Sequence, residues 1–301
     1  MNKVAYCIMA HNDKEHLSKL ITALGNNCEI FIHIDGYVDD SSFLSLANKG
    51  NVHFLTPRIK VSWAGFSMVT VMMELLKLAI EYKDEFSHYI FLSGSCYPIK
   101  PISQIDSFFA NNKKKSFIKY VKMTEHLLLY RHIQYKFLMD NPFLIRNRIT
   151  YNLHRMMRRI SFHTNITNPL KDNIIPYAGS QWTVLNDQCA KYVVSFHESN
   201  PWFQDMMRYT YAPDEHYIHT ILGNSPLSSQ CTGLQDFKYL GLDYLTNLHL
   251  IDNSLTKWFT VDDWDELKQS EKLFVRKVRS TDGSELVDKI NLEFSFNGEN
   301  K

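Results

Sequence analysis

Residues 4–10 are a continuous apolar run of strand length, and His11, Asn12 and Asp13 after them have the character of a capping turn. Residues 14–24 then set Leu17, Leu20, Ile21 and Leu24 on one helical face, and residues 30–34 form a second apolar run that stops at Asp35 and Gly36. A third short run follows at residues 52–55. Strand, helix and strand joined this tightly make a βαβ unit, which commits the chain to a parallel sheet with right-handed crossovers. Ligands in such sheets sit beyond the carboxyl ends of the strands, so Ala10, His11, Asp35 and Gly36 are expected at one rim.

The helix expected over residues 68–82 buries Val69, Met72, Met73, Leu76 and Ile80, and a methionine pair at this spacing is core packing rather than a cofactor-binding feature. Residues 89–94 read as a central strand, which brings Ser93 and Gly94, at the head of a loop over 93–98, to the same rim. A helix over 103–110, strands over 116–121 and 179–185, and a helix over 187–197 continue the alternation. Near the end, Thr260 caps a helix with Asp262 and Asp263 in its first turn. With 45% hydrophobic residues in 301, the chain can bury the core of one large domain. The expected fold class is α/β, a single domain with a mostly parallel central sheet flanked by helices. Residues 291–301 read as a flexible tail.

Charge narrows the function classes. Lys plus Arg total 33 against 32 for Asp plus Glu, which argues against a dedicated nucleic-acid binder. Between residues 123 and 173 basic and aromatic side chains interleave, with Tyr130, Arg131, Arg146, Arg155, Arg158 and Arg159 among them. A solvated basic face explains such a stretch, and contact with sugar, phosphate or a membrane surface fits the same residues. RNA would use it too, and the neutral total opposes that. The five cysteines are scattered with no metal-ligand spacing, which fits a reducing compartment better than a disulfide framework. No stretch approaches the ~20 apolar residues of a membrane span, so a cytoplasmic location is expected.

Residues 212–217 concentrate the chemistry. Pro213 sets a turn, and Asp214 is placed to cap a helix that buries Tyr217, Ile218, Ile221 and Leu222. Glu215 falls in the first turn of that helix, near backbone donors. A carboxylate held this way can serve as a general base, although most acidic first turns only cap a helix. Trp63 and Trp182 either stack on sugar rings or pack in the core; Ser180 and Gln181 lead into Trp182 through a small-residue turn.

Taken in order, the blocks at residues 4–11, 32–35, 63–67, 92–100, 179–182, 213–215 and 273–277 resemble the core 2/I-branching N-acetylglucosaminyltransferase and xylosyltransferase family. One block alone is weak, whereas the whole set in the family's order is specific. The resemblance implies a GT-A-like fold and transfer, with inversion, of a sugar from a UDP-sugar donor to a glycan or lipid-linked glycan acceptor. It implies Glu215 as the catalytic base, with no metal and no bound cofactor. Lys277, with Arg276 beside it, would bind the diphosphate, and Ala10, His11 and Asp35 would line the nucleotide pocket. Lys257 is the basic residue nearest the place of a second family arginine. Trp63, Ser93, Gly94, Ser180, Gln181 and Trp182 would meet substrate, Asp214 would shape the turn, and Arg131 is an acceptor-side candidate.

On the same resemblance, residues 1–122 form the nucleotide-sugar-binding half and 123–290 the acceptor-binding and catalytic half of one domain. The chain has no counterpart of the membrane anchor, stem or paired cysteines of animal members. It therefore looks like a bacterial cytoplasmic enzyme of surface polysaccharide synthesis, with peripheral contact with the inner membrane as an option. The donor sugar implied is N-acetylglucosamine or xylose. Three other readings stand beside this one: a metal-dependent GT-A transferase using Asp35, an inactive carbohydrate-binding protein, and an RNA-binding module over 130–159. Against the first, no second aspartate stands two places from Asp35.

Overall fold

The computed structural model describes residues 3–140, 152, 156, 159–160, 168, 173–238 and 243–294. β1 (Lys3–Ala10) is its axis, paired in parallel with β2 (Glu29–Ile34) on one side and β4 (Phe86–Ser93) on the other. β3 (Val52–Phe54) extends the parallel half beyond β2. On the far side of β4 the sheet continues through β8 (Val184–Asn186), β6 (Ser116–Lys122) and β7 (Tyr177–Gly179), and β9 (Cys231–Leu234) also pairs with β6. β8 is antiparallel to both its neighbours and β7 is antiparallel to β6; the other pairs are parallel. A smaller sheet joins β5 (Cys96–Pro98), β11 (Phe274–Arg276) and β10 (His249–Ile251).

Strand alternation decides the layers, because successive side chains point to opposite faces. In β1, Val4, Tyr6 and Ile8 join a core with Leu17, Leu20 and Ile21 of α1 (Lys14–Leu24). The intervening Ala5 and Cys7 join a second core with Val69, Met72 and Leu76 of α2 (Phe66–Ile80). β4 repeats this, with Ile90 and Leu92 on the first side and Tyr89 and Phe91 on the second. α3 (Ile102–Asn111), α8 (Trp264–Gln269), α9 (Ser280–Phe294) and the small sheet complete the first layer. α4 (Leu127–Gln134), α5 (Asp187–Ser199), α6 (Pro201–Met207) and α7 (Tyr217–Gly223) complete the second. This is the mostly parallel, helix-flanked α/β domain that the alternation predicts. No described helix is long and apolar enough to cross a membrane.

Local caps hold where the chain predicts them: Asp13 accepts from His16 N at 3.1 Å, and Thr260 and Asp263 form a capping box before α8. Three expectations change. Residues 179–185 are not one strand, since β7 and β8 pair separately with β6, each antiparallel, with a bend at residues 180–183 between them. Gly179 allows this, because a Cβ there would lie 2.2 Å from the Lys119 carbonyl oxygen. Residues 96–98, expected in a loop, are β5, recruited by antiparallel pairing with β11. Asp214 does not cap a helix: Pro213–Glu215 is a separate 3₁₀ turn, and no side chain caps α7 after it. Of the expected tail, residues 291–294 are instead the last turn of α9, and residues 295–301, with Arg146, Arg148, Arg155 and Arg158, lie outside the described residues.

Candidate active site

The carboxyl ends of β1, β2 and β4 meet at one rim, as parallel topology requires. Asp35 N donates to the Ala10 carbonyl at 2.9 Å, and Gly94 N donates to the Met9 carbonyl at 2.8 Å. A Cβ on Gly94 would lie 2.8 Å from that of Ala10, so only glycine lets the β4 loop press on the end of β1. Asp35 Oδ1 accepts the N–H groups of Tyr37 (3.0 Å) and Val61 (3.1 Å), which ties the β2 loop to the segment leading to Trp63. His11 stands exposed at the same rim.

The cation of the site comes from the small sheet. Arg276 Nε donates to Ser93 Oγ at 3.1 Å, and the guanidinium carbon lies 4.5 Å from the ring centroid of the buried Trp182. Stack and hydrogen bond together set the plane of the fork. Its two terminal nitrogens have no hydrogen-bond partner among the described residues, so the outer edge of the guanidinium is uncommitted.

Asp214 lies within electrostatic reach of this cation. Its side chain is buried, its Oδ1 has no hydrogen-bond partner, and each group feels the other's charge. Burial pushes the Asp214 carboxyl well up, while Arg276 pulls it back. Glu215, half-buried, is pushed up by burial and then by the neighbouring Asp214. The turn that carries both is held from outside. Ala212 (φ 51°) and Ala64 (φ 58°) are both left-handed, a conformation costing a non-glycine residue about 1–2 kcal/mol, and Ala212 N donates to the Ala64 carbonyl at 3.1 Å. Phe137 and Met139 pack over this pair. The bridge joins the Glu215 turn to Trp63, which is 64% exposed and 6.0 Å from the Tyr211 ring. The His132 carbonyl accepts Tyr211 N at 2.9 Å, so Arg131 on α4 stands beside the same turn.

Buried polar atoms without partners concentrate here. Among the described residues they belong to His16, Gln181, Thr183, Asp214, His219 and His249. Four of these six residues lie about Trp182: Gln181 and Thr183 flank it in the chain, the His249 ring is 6.2 Å away, and His219 Nε2 donates to the Ser180 carbonyl at 3.1 Å. Native folds leave few such groups, so their concentration marks a binding site. Burial, with Arg276 and Lys272 adding to it, pushes His249 down to about 3, so its imidazole is neutral. Sequence reasoning passed over His249. Its signal is a lone histidine inside the apolar run Leu248, Leu250 and Ile251.

The site thus brings together Ala10, Asp35, Ser93, Gly94, Ser180, Gln181, Trp182, Asp214, Glu215 and Arg276, with Trp63 and Arg131 at its edge. Two basic candidates point elsewhere. Lys277 Nζ donates to the Leu255 carbonyl at 2.8 Å and lies 5.8 Å from the Trp258 ring. Lys257 pairs with Asp263 at 2.6 Å and Glu266 at 3.6 Å, at the start of α8. No three His, Cys, Asp or Glu side chains among the described residues converge as metal ligands.

Over residues 4–276 the chain matches the family described as Core-2/I-Branching enzyme. It is 23% identical to mouse xylosyltransferase 2 over 308 residues, covering 95% of this chain and 33% of the relative. It is 25% identical over 202 residues to xylosyltransferase oxt of Drosophila pseudoobscura pseudoobscura, covering 65% of this chain and 21% of that one. The chain therefore spans about a third or less of the length of these relatives. Among solved structures it resembles S. aureus TarS 1–349 in complex with UDP, at TM-score 0.39 and 12% identity over 78% of this chain and 58% of that one. It also resembles apo mouse xyloside xylosyltransferase 1, at TM-score 0.33 and 8% identity over 91% and 96% of the two chains. The family match covers nearly the whole chain, and the protein belongs to the Core-2/I-Branching enzyme family.

Proposed function

We propose that this protein is an inverting glycosyltransferase, moving N-acetylglucosamine or xylose from a UDP-sugar to a hydroxyl of a glycan acceptor. The observation that carries the reading is an uncommitted guanidinium edge and a turn with two carboxyls in one chain of site residues. Inverting transfer needs a base on the acceptor side and positive charge at the departing diphosphate. Glu215 takes the proton of the acceptor hydroxyl as its oxygen attacks the anomeric carbon; held partly out of water, it is a stronger base once ionised. The terminal N–H groups of Arg276 offset the charge growing on the diphosphate through a bidentate contact. Asp35, Ala10 and His11 hold the nucleotide, Trp182 keeps the guanidinium flat, and the exposed indole of Trp63 offers a face to an acceptor sugar.

In this reading Arg276 does the work of a divalent metal. The acceptor is a lipid-linked or free precursor of a bacterial surface polysaccharide, met in the cytoplasm at the inner membrane. The balanced charge and scattered cysteines support that setting. The test is turnover of a panel of UDP-sugars by wild type and Glu215→Gln, with EDTA and with manganese. One donor consumed equally in both conditions, and spared by Glu215→Gln, is the expected result. Turnover only with manganese would remove Arg276 from the metal's role and direct attention to Asp35. Failure to bind UDP under either condition would overturn the reading.

A further inference from the structure

Ser93 ends β4 at the rim, and its hydroxyl has a full set of partners. The oxygen accepts Arg276 Nε–H at 3.1 Å and the backbone N–H of Ser95 at 3.2 Å. A serine hydroxyl has two lone pairs and one hydrogen, so these two donors leave only the hydrogen to place. The Cys96 sulfur lies 3.3 Å from that oxygen and also receives the Ser93 backbone N–H at 3.3 Å. The hydroxyl is therefore the donor in the Ser93–Cys96 pair. Burial keeps the Cys96 thiol neutral against the pull of Arg276, so its sulfur meets that hydrogen as a weak acceptor.

Backbone pairing brings these groups together before any ligand arrives. Cys96 of β5 stands opposite Arg276 of β11 in the antiparallel register, and the Ser95 carbonyl accepts Val278 N at 2.9 Å. Gly94 presses the same loop onto the end of β1. Cys96 is fully buried and Ser93 nearly so.

A guanidinium can grip an anion by its side edge, made by Nε and one terminal nitrogen, or by its end edge, made by both terminal nitrogens. With Nε–H bound to Ser93 the side edge is closed. The terminal nitrogens have no partner among the described residues, so the end edge is open. We propose that Ser93 and Cys96 are positioning residues that commit Arg276 Nε to the protein, so that a nucleoside diphosphate is gripped end-on by the two terminal nitrogens. With both lone pairs and its hydrogen in use, the Ser93 hydroxyl acts through Arg276 in place of a hydrogen bond to the donor. Cys96 acts one step further back, by fixing which way the Ser93 hydrogen points. The inference rests on the diphosphate-binding reading above.

The test is a ¹H–¹⁵N spectrum of the arginine side chains in ¹⁵N-labelled protein, recorded with and without UDP, with Arg276→Lys to assign the Arg276 signals. At saturating UDP the terminal N–H signals should shift while the Nε–H signal keeps its free position. An Nε–H signal that moves as far as the terminal ones would overturn the inference and spare the diphosphate reading, because the side edge would then meet the anion. UDP binding, read from ³¹P linewidths, with every Arg276 signal unmoved would overturn both, as would absence of UDP binding. Calorimetry on variants shown folded by their melting curves gives a second readout. Ser93→Ala should weaken UDP binding by roughly 2–10-fold, and Cys96→Ala should weaken it in the wild-type background yet add nothing to Ser93→Ala. A merely structural Cys96 would weaken binding equally in both backgrounds, and that additivity would overturn the inference.

Discussion

Replacing Arg276 with lysine keeps the charge and removes the shape. In the wild type the guanidinium is fixed by Ser93 Oγ at 3.1 Å and by the Trp182 ring at 4.5 Å. A lysine has no planar fork to lie on an indole and cannot donate in parallel to two phosphate oxygens. The stack, worth about 0.5–2 kcal/mol, is present before and after ligand binds, so its loss appears in stability rather than affinity. The lost charge-assisted hydrogen bond does differ between free and bound states and is worth about 1.5–3 kcal/mol, or roughly 10–150-fold in Kd. Isothermal calorimetry with UDP should show that weakening in Arg276→Lys. Thermal denaturation should show a Tm lower by roughly 2–4 °C for each kcal/mol of stacking lost. A folded Arg276→Lys protein that binds UDP within threefold of wild type would refute the assignment of Arg276 to the diphosphate.

Glu215→Gln should abolish transfer while leaving the UDP Kd within a factor of about 2–3, since the base acts on the acceptor. Raised folded-state carboxyls bind protons more tightly than unfolded ones, so their stabilising effect is full below the unfolded pKa and is lost as pH rises through the folded one. Asp214→Asn and Glu215→Gln should therefore raise Tm over wild type at alkaline pH and lose that advantage in acid; an equal gain at both ends of a pH series of melting curves would contradict the burial argument. Gly179→Ala puts a Cβ 2.2 Å from the Lys119 carbonyl oxygen and 2.6 Å from His219 Cδ2, which only a backbone shift relieves. A loss of about 3 kcal/mol or more is expected in chemical denaturation. Trp63→Ala, at an exposed ring, should change stability by no more than about 0.5 kcal/mol and raise the acceptor KM, as read in an acceptor titration.

The parts legible in the chain are those whose cause is local. The run at residues 4–10 became β1, and the face of Leu17, Leu20, Ile21 and Leu24 became the buried side of α1, because periodicity needs no distant partner. From that unit the rim carrying Ala10 and Asp35 followed by topology. Where tertiary contact overrides local preference, the reading changed. Local capping logic put Asp214 at a helix start, but the bond between Ala212 and Ala64 makes Ala212 left-handed and detaches the turn, so Asp214 goes inward. Gly179 read as the start of a strand, and its close approach to β6 makes it the point where the chain bends away. Arg276 and Lys277 are neighbours in the chain, yet Arg276 meets Trp182 and Ser93 while Lys277 turns to Leu255.

By itself the sequence determined the βαβ order, the parallel sheet, the rim and the residue types available for the chemistry. All of these follow from hydrophobic period and chain connectivity, which act over a few residues. Only the tertiary structure decided which cation lies within reach of which carboxyl. Arg276 comes from a strand of the second sheet and Asp214 from a turn 62 positions earlier (276 − 214), and His249 is buried beside Trp182. Burial and charge pairing depend on what packs nearby in space, and no local pattern encodes that.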